Sequence, residues 1–438
     1  MKSWFIRGAL ALAIVPALAA AQQAAENARP ITLDEAVKLA VQNSPTTVIA
    51  RNAERTSEAG VMASKMRFLP SLSASFGATN SGGTQFISGV PVPISGLPWT
   101  YSRRLSSNLT VWDGGANLYN YKLAGANLDA AVASDVSARY GVALTVKQQY
   151  FNVLAAREQL AAAQRSLEQA NQQLAVYVAK MLAGAATRAD SLTGALQVGN
   201  AQLQILNAQN AFVNANAGLT RYVASPFPVT ATPSDTSDIA TIVVDEGSLT
   251  KMALEGPAIR SAAASFSASQ ASHRVATGTY WPSLTATGSY GQNPKATQGF
   301  LFGGGPTSTS TSFGLSLGYT IFNNYQREQG LVTARIAEDN AAANLRDAKF
   351  VAQQNLTSFL VNYQTAQQTI ALQLLQITAA TENLRVAQQK YNLGTALQVE
   401  ITTAQATLDQ ARYNLINARL QARTAKASIE ALIGRDLK

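Results

Sequence analysis

Ser312-Phe313-Gly314-Leu315-Ser316-Leu317-Gly318-Tyr319-Thr320-Ile321 sets Phe313, Leu315, Leu317, Tyr319 and Ile321 against Ser312, Gly314, Ser316, Gly318 and Thr320. It is followed almost at once by a proline-free, helix-forming run from about Gln326 to Asn392. Period-two alternation predicts a strand with one apolar and one small polar face. A run of that length, at 1.5 Å per residue, predicts a helical rod of roughly 100 Å. No small globular domain contains such a rod without its protruding, so a short ribbon feeding a very long helix frames the reading of the whole chain.

The pattern occurs twice. Phe68-Leu69-Pro70-Ser71-Leu72 returns as Tyr280-Trp281-Pro282-Ser283-Leu284, and Val111-Trp112-Asp113 returns as Ile321-Phe322-Asn323. Gly184 then matches Gly394 and Asp190 matches Glu400, a constant offset (394 − 184 = 210). The expected organisation is a first repeat over 31–224, with strands at about 70–79 and 103–112, a long helix at about 116–182 and a return helix at about 187–222. A Pro-, Ser-, Thr- and Asp-rich linker, 225–247, leads to a second repeat over 248–434. Its strands lie at about 282–291 and 312–322, its long helix at about 326–392 and its return helix at about 397–432. A further helix precedes each hairpin, at about 45–67 and 257–279, and the strand connections 86–98 and 292–311 read as flexible loops.

The long helices carry heptads: Val146, Val153, Leu160, Leu167, Leu174 and Met181 in the first, and Leu356, Tyr363, Ile370, Ile377, Leu384 and Tyr391 in the second. The last helix repeats the spacing with Ile401, Leu408, Leu415, Ala422 and Ile429 beside an alanine-rich row. Such seams predict coiled-coil packing.

Each strand is about ten residues long, the span of a tilted transmembrane strand. Trp99, Tyr101 and Trp112 in one repeat, and Tyr280, Trp281, Tyr319 and Phe322 in the other, gather at strand ends as interfacial girdles do. Alternation alone also fits a half-buried sheet in a soluble protein. If lipid is the environment, four strands leave two edges open in hydrocarbon, where each unpaired backbone group costs several kcal/mol. Further copies of the chain must then close the barrel: two give eight strands, three give twelve.

Composition narrows the function. Residues 1–21 read as a secretory signal, with Lys2 and Arg7 before the apolar Ala9–Leu18 and the small Ala19-Ala20-Ala21. Net charge is +9, or 9 − 2 = +7 without that segment, yet Lys and Arg are dispersed without a basic run or an arginine-aromatic cluster, so no nucleic-acid partner is expected. Without cysteine, and with the single histidine, His273, read as lying on a solvated helix face, nucleophilic and thiolate-metal sites lack candidates. The chain reads as a non-enzyme with no cofactor and no metal. A secreted helical scaffold or adhesin without a pore is the alternative.

The element order, the leading Leu33-Asp34-Glu35-Ala36-Val37, Pro45, Leu69-Pro70-Ser71-Leu72, Trp112-Asp113-Gly114-Gly115 and Tyr391-Asn392-Leu393-Gly394-Thr395 together resemble the TolC-like outer-membrane efflux family across essentially the whole chain after the signal. The resemblance implies an α+β membrane protein: a homotrimer whose twelve-stranded barrel, four strands per chain, sits in outer-membrane lipid and continues as a periplasmic helical coiled-coil barrel. It implies passive exit for drugs and other small molecules delivered by an inner-membrane transporter and a periplasmic adaptor (membrane fusion) protein; type I protein secretion would use the same outer component.

The resemblance further puts the turns at Gly184, Thr187, Gly394 and Thr395 at the periplasmic tip as adaptor contacts. Arg188, Asp190, Glu400 and Thr403 become gate candidates there, with the two acids in an entrance ring. Capping is the other reading, because Thr187-x-x-Asp190 is a helix-start signature and acids favour a first turn. Members with a strong ionic lock carry an acid at the Thr403 position and an Arg at the Ala396 position, so this chain departs from that pattern.

Overall fold

The computed structural model describes residues 28–80, 83–94, 100–232, 245–294 and 307–437. The signal segment 1–21, Trp99 and most of the 225–247 linker lie outside the described residues. The chain divides into two compact units, Met1–Asn52 with Ala133–Arg260 and Asp347–Lys438, and Ala53–Val132 with Ser261–Arg346. Among the described residues no helix is long and apolar enough to cross a membrane.

The helices are α1 (Leu33–Asn43), α2 (Pro45–Met66), α3 (Ala116–Leu182), α4 (Arg188–Val223), α5 (Glu246–Leu254), α6 (Pro257–Gly278), α7 (Gln326–Asn392) and α8 (Gln398–Ile433). Both α3 and α7 run 67 residues, and both α4 and α8 run 36. In the first unit some heptad positions bury fully, while others, such as Leu160, Leu167, Ile370 and Ile377, are half-buried. Val146 and Val153 of α3 pack with Leu219 and Val223 of α4, and Leu384 of α7 packs with Ile401 and Leu408 of α8. Ala404, Ala411, Ala418 and Ala425 are all buried on α8, where a side chain of one methyl lets neighbouring backbones approach.

Part of the presumed linker is ordered. Strands β1 (Arg29–Ile31) and β6 (Val229–Ala231) pair in parallel. Tyr150 Oη donates to Ile31 O at 3.2 Å and accepts from Thr232 N at 3.1 Å, while Arg157 donates to Ala231 O at 2.7 Å and to Thr230 at 2.9 Å. Strands of three residues are too short to show a period.

The second unit holds the antiparallel sheet: β2 (Ser71–Thr79), β5 (Thr100–Trp112), β7 (Ser283–Pro294) and β8 (Thr307–Gly318), in the order β2-β5-β7-β8. The fourth strand stops at Gly318 rather than near 322. Asn324 and Tyr325 then take positive φ, and the chain turns into α7. The ladder between β5 and β7 shifts between Thr110 and Trp112, so Val111 sits at a bulge.

Overlapping 86–98, read as loop, β3 (Gly83–Ile87) and β4 (Val90–Ile94) form a small hairpin of their own. Ser88 and Gly89, with φ of 54° and 82°, make its two-residue turn. His273 is likewise no free surface residue: its Nδ1 lies 2.6 Å from Glu338 Oε2, with both side chains only partly exposed.

Candidate functional site

Two surfaces carry the candidate residues, one in each unit. In the second unit the sheet is two-faced. Residues directly opposed across a ladder share a face. Thus Leu72, Ser107, Gly288 and Phe313 form one row, and Ser73, Ser106, Ser289 and Ser312 form a row on the other side. The apolar face is open to the surroundings: Phe313 is 78% exposed, Leu317 72% and Leu315 63%. On the small polar face hydroxyls pair across strands, as Ser73 with Ser106 and Ser289 with Ser312, each at 2.8 Å.

The aromatic candidates sort to the sheet's two ends. Trp112, Tyr280, Trp281, Tyr319 and Phe322 stand at the helix end, where Trp281 and Phe322 are strongly exposed and the Arg327 guanidinium covers the Tyr280 ring at 4.2 Å. Tyr101, opposite Ala78, is at the loop end. Gly114, with φ of +69°, packs so closely that a Cβ there would meet Trp281 Cβ and lie 2.6 Å from Gly278 O.

In the first unit, α3 and α7 end in the same way. Gly184 and Gly394 both take φ of +75°. Their amides bond Met181 O and Tyr391 O, and the next amides, of Ala185 and Thr395, reach back to Lys180 O at 2.8 Å and Lys390 O at 2.9 Å. This is the Schellman closure of a helix, in which glycine supplies the left-handed conformation.

The entries to the return helices differ. Thr187 caps α4 with a full box: its Oγ1 accepts from Asp190 N at 3.2 Å and its N donates to Asp190 Oδ2 at 2.9 Å. Leu397 caps α8 with no side-chain bond, which leaves Glu400 as a first-turn acid. Thr403 bonds Val399 O within its own helix, and among the described residues no ion pair joins Arg188 to Asp190 or Glu400.

A cluster that the sequence did not single out lies beside these turns. Tyr177 meets Tyr391 edge-on with centroids 5.3 Å apart, and Lys180 Nζ sits 4.2 Å from the Tyr391 ring and donates to Tyr391 O at 3.1 Å. Burial pushes the Tyr177 hydroxyl up to about 12 and raises Tyr391 as well, with the Asp190 charge acting in the same direction. Gln398 Nε2 ties the two hairpins by donating to Asp190 O at 3.1 Å. Large apolar side chains stand exposed around both turns: Leu182 at the first, then Leu393, Leu397 and Val399 at the second. Their heptad neighbours drew attention, whereas these off-seam residues look like ordinary helix termini in a sequence.

A cleft in the same unit, lined by amides such as Gln173, Gln197 and Gln405, contains Asp409, which accepts from Ser166 and Gln405. One engaged carboxylate among amides is not an acid–base pair, and among the described residues no group of His, Asp and Glu is placed to hold a metal ion.

The chain thus carries a two-faced antiparallel sheet, whose outer strands β2 and β8 have no further neighbour among the described residues, and two matching helical hairpins. The sequence matches the description "outer membrane efflux protein" over residues 36–225 and 249–435, and the chain belongs to that family. No curated protein sequence matches it significantly. Among solved structures it is similar to CusC, described for conformational changes accompanying folding and transmembrane channel formation, at 17% identity and TM-score 0.80, covering 93% of this chain and 92% of that one. A membrane protein from Pseudomonas aeruginosa is similar at 19% identity and TM-score 0.79, covering 92% and 93%. The open state of the MtrE outer membrane channel of Neisseria gonorrhoeae is similar at 19% identity and TM-score 0.76, covering 93% and 89%. The fold is therefore that of these outer-membrane channels.

Proposed function

We propose that the chain is the outer-membrane subunit of a tripartite export system, a homotrimer that gives passive exit to drugs and other small molecules. An inner-membrane transporter and a periplasmic adaptor would deliver them. The observation that carries this reading is the sheet: among the described residues β2 and β8 have no outer neighbour, and Phe313, Leu315 and Leu317 project an uncovered apolar face. Unpaired edges are intolerable in hydrocarbon and an apolar face is intolerable in water. A closed barrel of several copies in lipid resolves both.

The first unit supports the same assembly. Leu192, Leu196, Leu203 and Leu206 of α4 are each more than half exposed, at the 4-7-3 spacing of a coiled-coil seam. A seam of leucines left more than half exposed suits a neighbouring copy. The exposed apolar residues around Gly184 and Gly394 suit a helical partner at the tip, the role proposed for the adaptor. The test is electrical. Detergent-extracted protein reconstituted in a planar bilayer should produce discrete conductance steps, whereas a protein that stays in plain buffer as a silent monomer would refute the duct.

A further inference from the structure

Residues 68–112 and 279–323, which comprise both membrane hairpins and their loops, contain no aspartate or glutamate; their charged residues are Arg103, Arg104 and Lys295. The ladders separate the two adjacent arginines. Arg103 is opposite Phe76 on one side and Gln292 on the other, whereas Arg104 is opposite Ser75 and Gly291, with Ser310 next in the row. Arg103 therefore lies on the apolar face, and Arg104 lies on the face of hydroxyls and glycines.

Among the described residues nothing near Arg104 offsets or hides its charge. Its cross-strand neighbours are among the smallest side chains available, its own side chain is exposed, and among the described residues no hydrogen bond or ion pair engages it. A guanidinium is permanently charged and presents paired N–H groups that match carboxylate, phosphate and sulfate oxygens.

Resting on the duct reading above, we infer that Arg104 is an anion-selecting station in the barrel. Each copy contributes one guanidinium to the hydroxyl-lined lumen, which draws in anionic solutes that carry carboxylate, phosphate or sulfate groups and retards cations. In a wide aqueous lumen this action is limited by screening. The Debye length is about 10 Å at 0.1 M salt but about 30 Å at 0.01 M and about 3 Å at 1 M, so the selection strengthens as salt falls.

The adjacent arginines supply a matched control. Wild type, Arg104→Ser and Arg103→Ser are compared in planar bilayers under a potassium chloride gradient, with Arg104→Gln as a second variant should the serine form assemble poorly. The chloride-to-potassium permeability ratio should fall in both Arg104 variants, more at about 0.01 M than at about 1 M, while Arg103→Ser, which removes the same charge from the lipid-side face, keeps the wild-type ratio. Inorganic phosphate added on the loop side should reduce wild-type current more than Arg104→Ser current. An unchanged ratio in the Arg104 variants at low salt overturns the station, as does an equal fall in Arg103→Ser. Absence of conductance from wild type itself overturns the duct reading, and the station with it.

Discussion

Lys147→Met should destabilise the first unit far more than a surface charge substitution. Lys147 Nζ donates to Glu430 Oε2 at 2.7 Å and to Asp436 Oδ1 at 2.9 Å, with Lys147 16% and Glu430 11% exposed but Asp436 85% exposed. Glu430 Oε1 also accepts from Leu437 N at 3.1 Å, so the methionine variant leaves a buried carboxylate with a single amide donor. Breaking a buried pair from one side costs about 3–5 kcal/mol, and the remaining amide bond places this case near 3 kcal/mol. Adding Glu430→Gln removes the stranded charge, so the double variant should cost less than the sum of the singles.

The pH dependence has a definite sign. Burial pulls the Lys147 pKa down, but the hydrogen bonds and charges of Glu430 and Asp436 outweigh it and leave the pKa above its ordinary 10.5. A raised base contributes stability that is fully present below the unfolded pKa and is lost as pH climbs through the folded one. Wild type should therefore lose stability above pH 10.5 in a step that Lys147→Met lacks. The guanidinium unfolding midpoint in detergent, at fixed protein concentration, reads both effects. A cost below about 1 kcal/mol, the worth of an exposed pair, or strict additivity in the double variant would refute the reasoning.

Other perturbations sort the remaining features. Gly184→Ala and Gly394→Ala meet no neighbouring atom, so each should cost only the left-handed strain of about 1–2 kcal/mol, whereas Gly114→Ala collides with Trp281 and Gly278 and should sharply reduce the yield of assembled protein. Thr187→Ala should cost about 1 kcal/mol of cap, read from thermal unfolding. Asp190→Ala and Glu400→Ala should raise opening conductance; because Glu400 has no capping bond to lose, unchanged behaviour there and in Asp190→Ala counts against an acidic gate. Leu315→Arg on the apolar face should cost about 2–4 kcal/mol if that face meets the middle of a bilayer. Ser312→Arg on the opposite face should be tolerated, and equal yields of the two variants in vesicles would refute the facing.

The extent of the long helices and the alternation of the four sheet strands were legible because a sustained period is a property of consecutive residues. Val146 and Val153, or Leu384 and Leu408, signal their burial by spacing, although Leu160 and Leu167 of the same row are only half-buried. The β3–β4 hairpin was masked by Pro91 and Pro93, which read as strand breakers, although the turn signal at Ser88-Gly89 was present. The β1–β6 pair and the contact between His273 and Glu338 join distant positions through elements too short, or residues too isolated, to leave a periodic trace. At the tips, Thr187-x-x-Asp190 announced its cap. The Tyr177–Tyr391–Lys180 cluster depends instead on how two separate hairpins lie together, which no local pattern encodes.

The central claim is that free edges β2 and β8 meet between copies, and the absence of native cysteine allows a direct measurement. In one chain the two edges are separated by three ladder spacings, about 14 Å, beyond the roughly 7 Å limit for a disulfide. A chain with Ser73→Cys on β2, paired in turn with Ser308→Cys, Ser310→Cys, Ser312→Cys or Ser316→Cys on β8, can therefore cross-link only to another copy. Oxidised in detergent and run under denaturing conditions, at least one pair should give a covalent ladder in steps of 46.2 kDa, less any removed signal, that ends at three chains. A chain that stays monomeric across the whole series, or a ladder that continues without limit, would contradict the closed trimeric barrel.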